Sequence, residues 1–397
     1  MTEIDVGIED PVERVTEGET ILYVPKSSLG TNVPPRTPAF YNPYAELNRD
    51  LSMAAYRVFA EEKTAPVTVA DSLAGVGARG VRVAVEVPEV DEIHINDLNP
   101  VAIELAKKSA RANKVTGRCR FTVLDVCRFL AEHSTPKSRF DIVDIDPFGS
   151  PAPHLDCALR AIENEGLFSA TATDMAVLCG VYPKVSYRKY HGHSLRTEYC
   201  HELGVRLLLG AVAHNAIRLE LGVRPVFAHR TRHYFRVYMT VHIGSDWVDK
   251  TYDQIGYIQH CFKCGYRAAG SMPHRECPEC KSAVKNAGPL WVGTVYSKRF
   301  LTALAEDCDR RSFRQGLKIA ATALQEVDMP PAYFTIDKIS GELGVVTPSL
   351  NSVISALEEE GYRASRSALN SKAVKTDAST AVLRRIVKRL TENQLGR

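Results

Sequence analysis

The chain has 397 residues, of which 45% are hydrophobic and 24% charged, and its formal net charge is +3. That length supports two or three domains with proper cores, and the composition excludes a disordered or fibrous chain. No apolar run approaches membrane-spanning length, and the first ten residues are acidic rather than a basic leader, so the sequence predicts a cytosolic protein with no membrane partner. Ten cysteines without an export signal argue for thiols or a metal and against a disulfide framework. Charge is unevenly spread: residues 1–20 hold seven acids and one Arg, whereas residues 361–397 hold nine Lys or Arg against two acids. Such a tail is either a nucleic-acid contact or a solvated helix face.

Residues 66–243 read as alternating strands and helices. A strand over 67–71 ends in Asp71 and runs into Ser72-Leu73-Ala74-Gly75-Val76-Gly77-Ala78-Arg79-Gly80. A second strand over 92–97 ends in Asp97, and Asn99-Pro100 then supply an N-cap and a first-turn proline for a helix to about residue 113. A third strand spans 121–124 before Asp125, a fourth 140–145 and a fifth 167–173; a long helix over 201–219 precedes a hairpin of 226–229 and 234–243. This alternation predicts an α/β domain with a mostly parallel sheet, and ligands in such sheets bind at the carboxyl ends of the strands. Asp71, Gly75, Asp97, Asp125 and Asp146 therefore fall along one rim.

Beyond residue 250 the pattern changes. Residues 256–289 are Cys-rich, a charged helix is expected over 298–314, and helices over 336–341 and 348–360 followed by a basic stretch suggest a winged-helix-like module. In the last helix, 379–390, Val382, Leu383, Ile386, Val387 and Leu390 share one face and Arg384, Arg385, Lys388 and Arg389 the other, which is expected to contact phosphates. Cys261-x2-Cys264 and Cys277-x2-Cys280, twelve residues apart, are two knuckles that can present four thiolates tetrahedrally to a structural zinc ion. Such a site is closed and offers no position for chemistry. The other six cysteines lack metal spacing and are expected to be buried thiols.

Two segments carry chemistry. The Gly75-x-Gly77 loop lets backbone approach a ligand closely, and Asp97, twenty residues past Gly77, is placed to hold both hydroxyls of a ribose. The loop is read as lacking the third glycine of the Rossmann pattern, since Ala78 and Arg79 intervene before Gly80. Arg79 is available to meet a carboxylate, and no phosphate-loop lysine follows, so a cofactor with one ribose and an amino-acid tail is favoured over a dinucleotide. Asp125, with the Val126 backbone, could accept from an adenine amine, the reading its company on the rim favours, or it could instead cap a helix. The second segment is Asp144-Ile145-Asp146-Pro147-Phe148-Gly149-Ser150-Pro151. An acid, a proline and an aromatic at a strand end can accept hydrogen bonds from an exocyclic amine and stack on the base that carries it. A conjugated amine needs such acceptors to localise its lone pair. The same turn is often mere punctuation.

The chain resembles the archaeal and eukaryotic tRNA (guanine-26-N2)-dimethyltransferases, which are class I S-adenosylmethionine-dependent enzymes. The matching stretches are Phe40-Tyr41-Asn42-Pro43 with Asn48-Arg49-Asp50, Asp71 through Gly80, Asp146 through Pro151, Ala172 through Gly180, His233-Tyr234-Phe235-Arg236 and Lys375-Thr376-Asp377. They occur in the family's order over nearly the whole chain. The resemblance implies that Arg49 and Arg79 contact S-adenosylmethionine through its carboxylate, that Asp97 holds the ribose, and that Asp125 with Val126 holds the adenine. It implies Asp146, with the Pro147 carbonyl, as acceptor of the guanine amine, and Phe40 and Phe148 as a sandwich for the flipped base. Asp144, deeper on the same strand, is left as structural. The implied organisation is a Rossmann-like methyltransferase domain over 1–250, a zinc-binding segment over 251–290 and an α+β winged-helix-like, tRNA-binding domain over 291–397, with tRNA as partner and no obligate protein partner. Zinc is not universal in the family and marks a branch of it. Two other classes stay open: an adenine-N6 or cytosine-N4 nucleic-acid methyltransferase, whose usual acid-Pro-Pro-aromatic turn differs from Asp146-Pro147-Phe148, and a non-catalytic RNA-binding protein.

Overall fold

The structure, a computed structural model, describes residues 10–31 and 39–395; most of the acidic N-terminal stretch lies outside the described residues. Among the described residues no helix is long and apolar enough to cross a membrane. The chain divides into two compact units, one of Met1–Thr171 with Tyr238–Ile243 and Arg310–Ser312, the other of Ala172–Val237, Gly244–Asp309 and Phe313–Arg397. The packing boundary in sequence thus falls after Thr171.

In the first unit β1 (Val12–Glu17) and β2 (Thr20–Pro25) form an antiparallel hairpin, followed by α1 (Glu46–Glu61). Then come β3 (Thr68–Asp71), α2 (Ala78–Glu86), β4 (Glu92–Asn96), α3 (Pro100–Ala112), β5 (Cys119–Thr122), α4 (Val126–Glu132), β6 (Phe140–Ile145), α5 (Leu155–Arg160) and β7 (Ile162–Ala172). The strands pair in parallel in the order β5-β4-β3-β6-β7. Val69 and Ala70 of β3 and Ile142, Val143 and Ile145 of β6 are buried, as strands covered on both faces must be. The order reverses between β3 and β6, and this switch point opens a crevice at their carboxyl ends. The buried Asn96 pins three strand ends there. Its Nδ2 donates to the carbonyls of Ser72 and Leu124 at 3.1 Å each, and its Oδ1 accepts from Thr122 Oγ1 at 2.8 Å and from the Leu124 N–H at 3.2 Å. The Asn99 side chain caps α3 as expected. Strand β5 starts two residues before the expected one because Cys119 and Arg120 pair with Ile93 and His94.

The second unit contains α6 (Met175–Leu178), α7 (Pro183–Tyr190), α8 (Cys200–Arg218), β8 (Leu221–Thr231), the first part of β9 (Tyr234–Ile243) and α9 (Ser245–Tyr252). Strands β10 (Ile255–His260), β11 (Arg267–Gly270) and β12 (Lys285–Trp291) form an antiparallel sheet in the order β11-β10-β12. Helix α8 is buried on nearly every face and packs on β12. Helices α10 (Lys298–Arg310) and α11 (Arg314–Gln325) follow, the first ending four residues before the expected stop. The C-terminal module has β13 (Phe334–Thr335), α12 (Ile336–Leu343), α13 (Leu350–Glu359), β14 (Ala364–Arg366), β15 (Ala373–Thr376) and α14 (Thr380–Leu395), with an antiparallel sheet ordered β13-β15-β14. Ile339, Val353, Leu357, Val374, Leu383, Ile386 and Val387 form its core, as expected of a winged-helix-like unit.

Two charge arrangements in this unit were not visible in sequence. The basic face of α14 is largely neutralised: Arg384 pairs with Glu342 at 2.6 Å, and Arg385 and Arg389 pair with Glu360 at 2.5 and 2.8 Å. Lys375 of β15 is buried, with its Nζ 3.0 Å from Glu202 and 3.6 Å from Glu326, while Arg206 Nε donates to Glu202 at 2.8 Å. Burial works against ionising Glu202, but Lys375 and Arg206 outweigh it and hold its carboxyl below the usual range. Removing one partner of such a cluster leaves buried charge uncompensated. Lys375→Met is therefore expected to cost about 3–5 kcal/mol in equilibrium denaturation, with partial recovery when Glu202→Gln is added; wild-type stability would contradict this.

Candidate active site and metal centre

The crevice at the β3–β6 switch is lined by Phe40, Tyr41, Asn42, Arg49, Asp71, Leu73, Ala74, Val76, Ala78, Arg79 and Asp146. Its glycine loop takes the shape the sequence calls for. Gly75 and Gly77 sit at φ +54° and +74°, and a Cβ on Gly77 would lie 2.5 Å from Ala106 Cβ. The reading that the third glycine is missing needs correcting: glycines 75, 77 and 80 stand at the spacing of a dinucleotide fingerprint, and the third packs against β4, where a Cβ would lie 2.7 Å from Ile95 Cγ1. Asp97 is half-buried at the loop's edge, where its Oδ2 accepts from the Gly75 N–H at 2.7 Å and its Oδ1 from the Asn99 N–H at 2.9 Å. Asp125 is the N-cap of α4: its Oδ1 accepts from the Cys127 and Arg128 N–H groups at 3.0 and 3.1 Å. The capping alternative is thus realised, with Val126 buried behind it.

Three acids converge on one arginine. The buried Arg79 donates from Nε to Asp144 at 2.9 Å, from Nη1 to Ser52 Oγ at 2.5 Å, and from Nη2 to Asn48 Oδ1 at 3.0 Å and to Asp146. Asp144 also accepts from the Tyr56 hydroxyl. Asp71 is buried beside them, its Oδ2 taking the Gly80 N–H at 2.8 Å. Of the three acids only Asp146 opens outward, with 29% of its side chain exposed. Arg49 likewise turns to a protein acid: its Nε donates to Glu17 at 2.5 Å, and its Nη2 donates to Glu17 and, at 3.0 Å, to the Asn42 carbonyl. Both arginines border the crevice, but each is held by protein carboxylates and is not presented as an open fork. Sequence reading missed the partners Glu17, Asn48, Ser52 and Tyr56. Only Asn48, beside Arg49, stood in a quoted motif.

Phe148 is 72% exposed at the mouth, after Pro147 and before Gly149 at φ +82°, a conformation that favours glycine. Phe40 meets it with ring centroids 5.8 Å apart and planes at 48°. The two rings are therefore neighbours that touch one another.

In the second unit the four cysteines converge. Sγ of Cys261 lies 3.5 Å from that of Cys280, and Sγ of Cys264 lies 3.6 Å from that of Cys277. With Zn–S bonds of about 2.3 Å a tetrahedral site needs edges of about 3.8 Å, so the donor set fits zinc and the distances exclude disulfides. The two knuckles are alike: Gly265 N–H donates to the Cys261 carbonyl and Lys281 N–H to that of Cys277, with Gly265 and Lys281 at φ +82° and +62°. The expectation for the other cysteines needs correcting. Cys127 and Cys157 are joined in a disulfide that ties α4 to α5, thirty residues apart with no spacing signal. Cys179 and Cys200 meet His201, their ligand atoms within 4.8 Å of one another.

Fold and site together describe a class I methyltransferase-like crevice with an acid–aromatic mouth. Residues 18–388 match the family of N2,N2-dimethylguanosine tRNA methyltransferases, and the chain belongs to that family. It is 36% identical to the tRNA (guanine(26)-N(2))-dimethyltransferase of Methanothermobacter thermautotrophicus, over 94% of this chain and 98% of the relative. It is 37% identical to the enzyme of the same name from Methanopyrus kandleri, over 93% and 94%. The solved structure of Trm1 from Pyrococcus horikoshii in complex with S-adenosyl-L-methionine matches with a TM-score of 0.83 at 31% identity, covering 94% of this chain and 99% of that one.

Burial, and next the neighbouring Asp144, push the Asp71 carboxyl up to about 7. The folded-state value lies above the unfolded one, so this acid subtracts stability as pH rises from about 4 to about 7, and the loss is complete above that. Asp71→Asn keeps an acceptor for the Gly80 N–H but has no such titration. The melting temperature of the variant relative to wild type is therefore expected to be higher at pH 8 than at pH 5; a pH-independent difference would rule this out.

Proposed function

We propose that this protein transfers methyl groups from S-adenosylmethionine to the exocyclic N2 amine of guanine 26 in tRNA, yielding N2-methyl- and N2,N2-dimethylguanosine. The observation that carries the reading is Asp146, the one outward-facing acid on Arg79, held next to Pro147 and an aromatic pair at the crevice mouth. S-adenosylmethionine, when bound, supplies a methyl group with a built-in leaving group, which leaves the protein mainly to orient a direct displacement. Asp146 and the Pro147 carbonyl accept hydrogen bonds from the N2 amine, localise its lone pair and disperse charge as the new bond forms. Phe40 and Phe148 stack on the flipped base. Asp97 receives the ribose hydroxyls, and Asp125, whose Oδ1 is engaged as a cap, offers its other oxygen beside Val126 to the adenine amine. Arg49 and Arg79 supply positive charge for the cofactor's carboxylate while staying tied to Glu17, Asp144 and Asp146.

Cys261, Cys264, Cys277 and Cys280 would hold a structural zinc ion. Its role is to stiffen a hairpin that contacts the C-terminal module: Thr380 Oγ1 donates to the Gly265 carbonyl at 2.9 Å, and Arg267 donates to the Tyr333 carbonyl at 2.6 Å while its guanidinium lies 3.9 Å from the Phe334 ring centre. In functional terms residues 1–250 form the methyltransferase part, 251–290 the zinc segment and 291–397 the winged-helix-like part that helps bind tRNA. A tRNA substrate puts the protein in the cytoplasm.

Purified protein given S-[methyl-³H]adenosylmethionine and tRNA bearing guanine 26 is expected to label N2-methyl- and N2,N2-dimethylguanosine at that position. Asp146→Asn should lower turnover on the order of 10²- to 10⁴-fold while cofactor affinity by calorimetry stays near wild type. Label confined to adenosine or cytidine would replace the guanine reading, and equal loss of turnover and cofactor affinity would show Asp146 misassigned. For the metal, elemental analysis of gently purified protein should find zinc, with Cys261→Ser/Cys264→Ser losing it and melting at lower temperature. Zinc-free wild-type protein with the same melting temperature would refute the site.

A further inference from the structure

The RNA substrate proposed above calls for a cationic surface, yet the one legible in the sequence, on α14, is largely cancelled by Glu342 and Glu360. Residues 181–196 offer the opposite balance, with four Lys or Arg and no acid. Within them α7 places Lys184, Tyr187 and Arg188 at i, i+3 and i+4, all three exposed, and the exposed His191 is its C-cap at φ +57°. The other side of the helix carries the buried Ser186 and Tyr190. A helix face that packs on protein carries apolar residues at that spacing; this one carries two cations and an aromatic ring.

The face is also rigid. Tyr187, 51% exposed, stacks on the His193 ring with centroids 4.8 Å apart and planes at 14°. His193 is locked by a backbone bridge: its N–H donates to the Gly288 carbonyl at 3.0 Å and its carbonyl accepts from the Gly288 N–H at 2.8 Å. Between them Gly192 passes so close to Pro289 that a Cβ would lie 2.3 Å from its carbonyl oxygen, and Ser186 Oγ donates to the Gly192 carbonyl at 2.8 Å. Lys189, on the flank, is committed to Asp174 at 2.9 Å and so belongs to the support. Singly exposed aromatics are ordinary. A stacked pair pinned by backbone among cations that have no acid partner among the described residues is suited to recognition of an unstacked base, because stacking on a pre-ordered ring is worth about 1–3 kcal/mol per base and flanking phosphates are met by Lys and Arg.

We propose that the exposed face of α7 is an RNA-contact surface for the tRNA, on which an unpaired base stacks against the Tyr187–His193 pair while Lys184, Arg188 and the exposed Arg196 contact neighbouring phosphates. It rests on the tRNA reading above and adds where the tRNA is gripped.

The test measures tRNA affinity by filter binding and methylation kinetics for the wild type, Tyr187→Ala, Tyr187→Phe and Lys184→Ala/Arg188→Ala. Tyr187→Ala is expected to weaken tRNA binding about 5- to 150-fold, the stacking range, and to raise KM with S-adenosylmethionine affinity unchanged. Tyr187→Phe should retain binding, since the ring and not the hydroxyl does the work. The double variant should lower the slope of log affinity against log salt by roughly 1.4–1.8. If wild-type protein methylates tRNA and both alanine variants bind it within twofold of wild type, the surface is refuted and the enzymatic reading stands. If wild-type protein binds tRNA without methylating it and Tyr187→Ala loses that binding, the enzymatic reading falls and the surface stands. Wild-type protein that binds no tRNA overturns both.

Discussion

The candidate site depends on one guanidinium. Arg79 joins α1, through Asn48 and Ser52, to the end of β6, through Asp144 and Asp146, and it does so from the first turn of α2. Taking that charge out of water costs several kcal/mol, which only acid partners and satisfied donors can offset. The acids need it equally: Asp71, Asp144 and Asp146 crowd one strand-end region and repel one another without a cation between them. The division of labour follows from exposure. Asp144 is sealed behind Arg79 and held by Tyr56, Asp71 is pushed toward its neutral form, and Asp146 alone keeps an outward face. An acid so oriented cannot swing away, and a hydrogen-bond acceptor for a weakly nucleophilic amine must not.

A second buried network, around Glu17, does for the near wall what Arg79 does for the floor. Glu17 takes hydrogen bonds from Tyr41, Arg49 and Arg82, which ties the N-terminal hairpin to the Phe40–Asn42 segment, α1 and α2. Burial opposes its ionisation, yet Arg49 and Arg82 bring its pKa down to about 2. The arginines flanking the crevice are therefore structural cations first. Whatever charge they lend to a bound carboxylate is lent from fixed positions.

What was legible in the sequence has a common cause: it is encoded locally. Strand β6 was read to its true ends because a doubly covered strand is an apolar run, and Asn99-Pro100 announced α3 through capping chemistry. The convergence of Cys261, Cys264, Cys277 and Cys280 was readable because two Cys-x2-Cys knuckles carry their spacing in the chain itself. Illegible were the features set by tertiary neighbours: the Cys127–Cys157 bridge across thirty residues, the commitment of Arg49 and Arg79 to protein acids, and the neutralising of α14 by glutamates twenty-five and forty-two residues away. Asp125 is intermediate. Its place at a strand end was evident, but cap and ligand acceptor ask for the same residue at the same position, and only the bond to Cys127 and Arg128 separates them.

The aromatic mouth adds a geometric constraint on the proposed base-flipping step. Two rings that sandwich a base must lie nearly parallel and roughly 7 Å apart, two stacking distances, whereas Phe40 and Phe148 stand 5.8 Å apart at 48°. Admitting a base thus means parting the rings by about an ångström and rotating one of them. The two rings differ in how they are held. Phe148 is exposed and followed by Gly149, where a Cβ would meet nothing within 4 Å, while Phe40 follows the buried Ala39 and precedes Tyr41, which is fixed by Glu17. For the proposed base-stacking role, Phe148 is the exposed leaf and Phe40 the anchored one. Asp146, two residues before Phe148, is clamped by Arg79 and so is held independently of that ring.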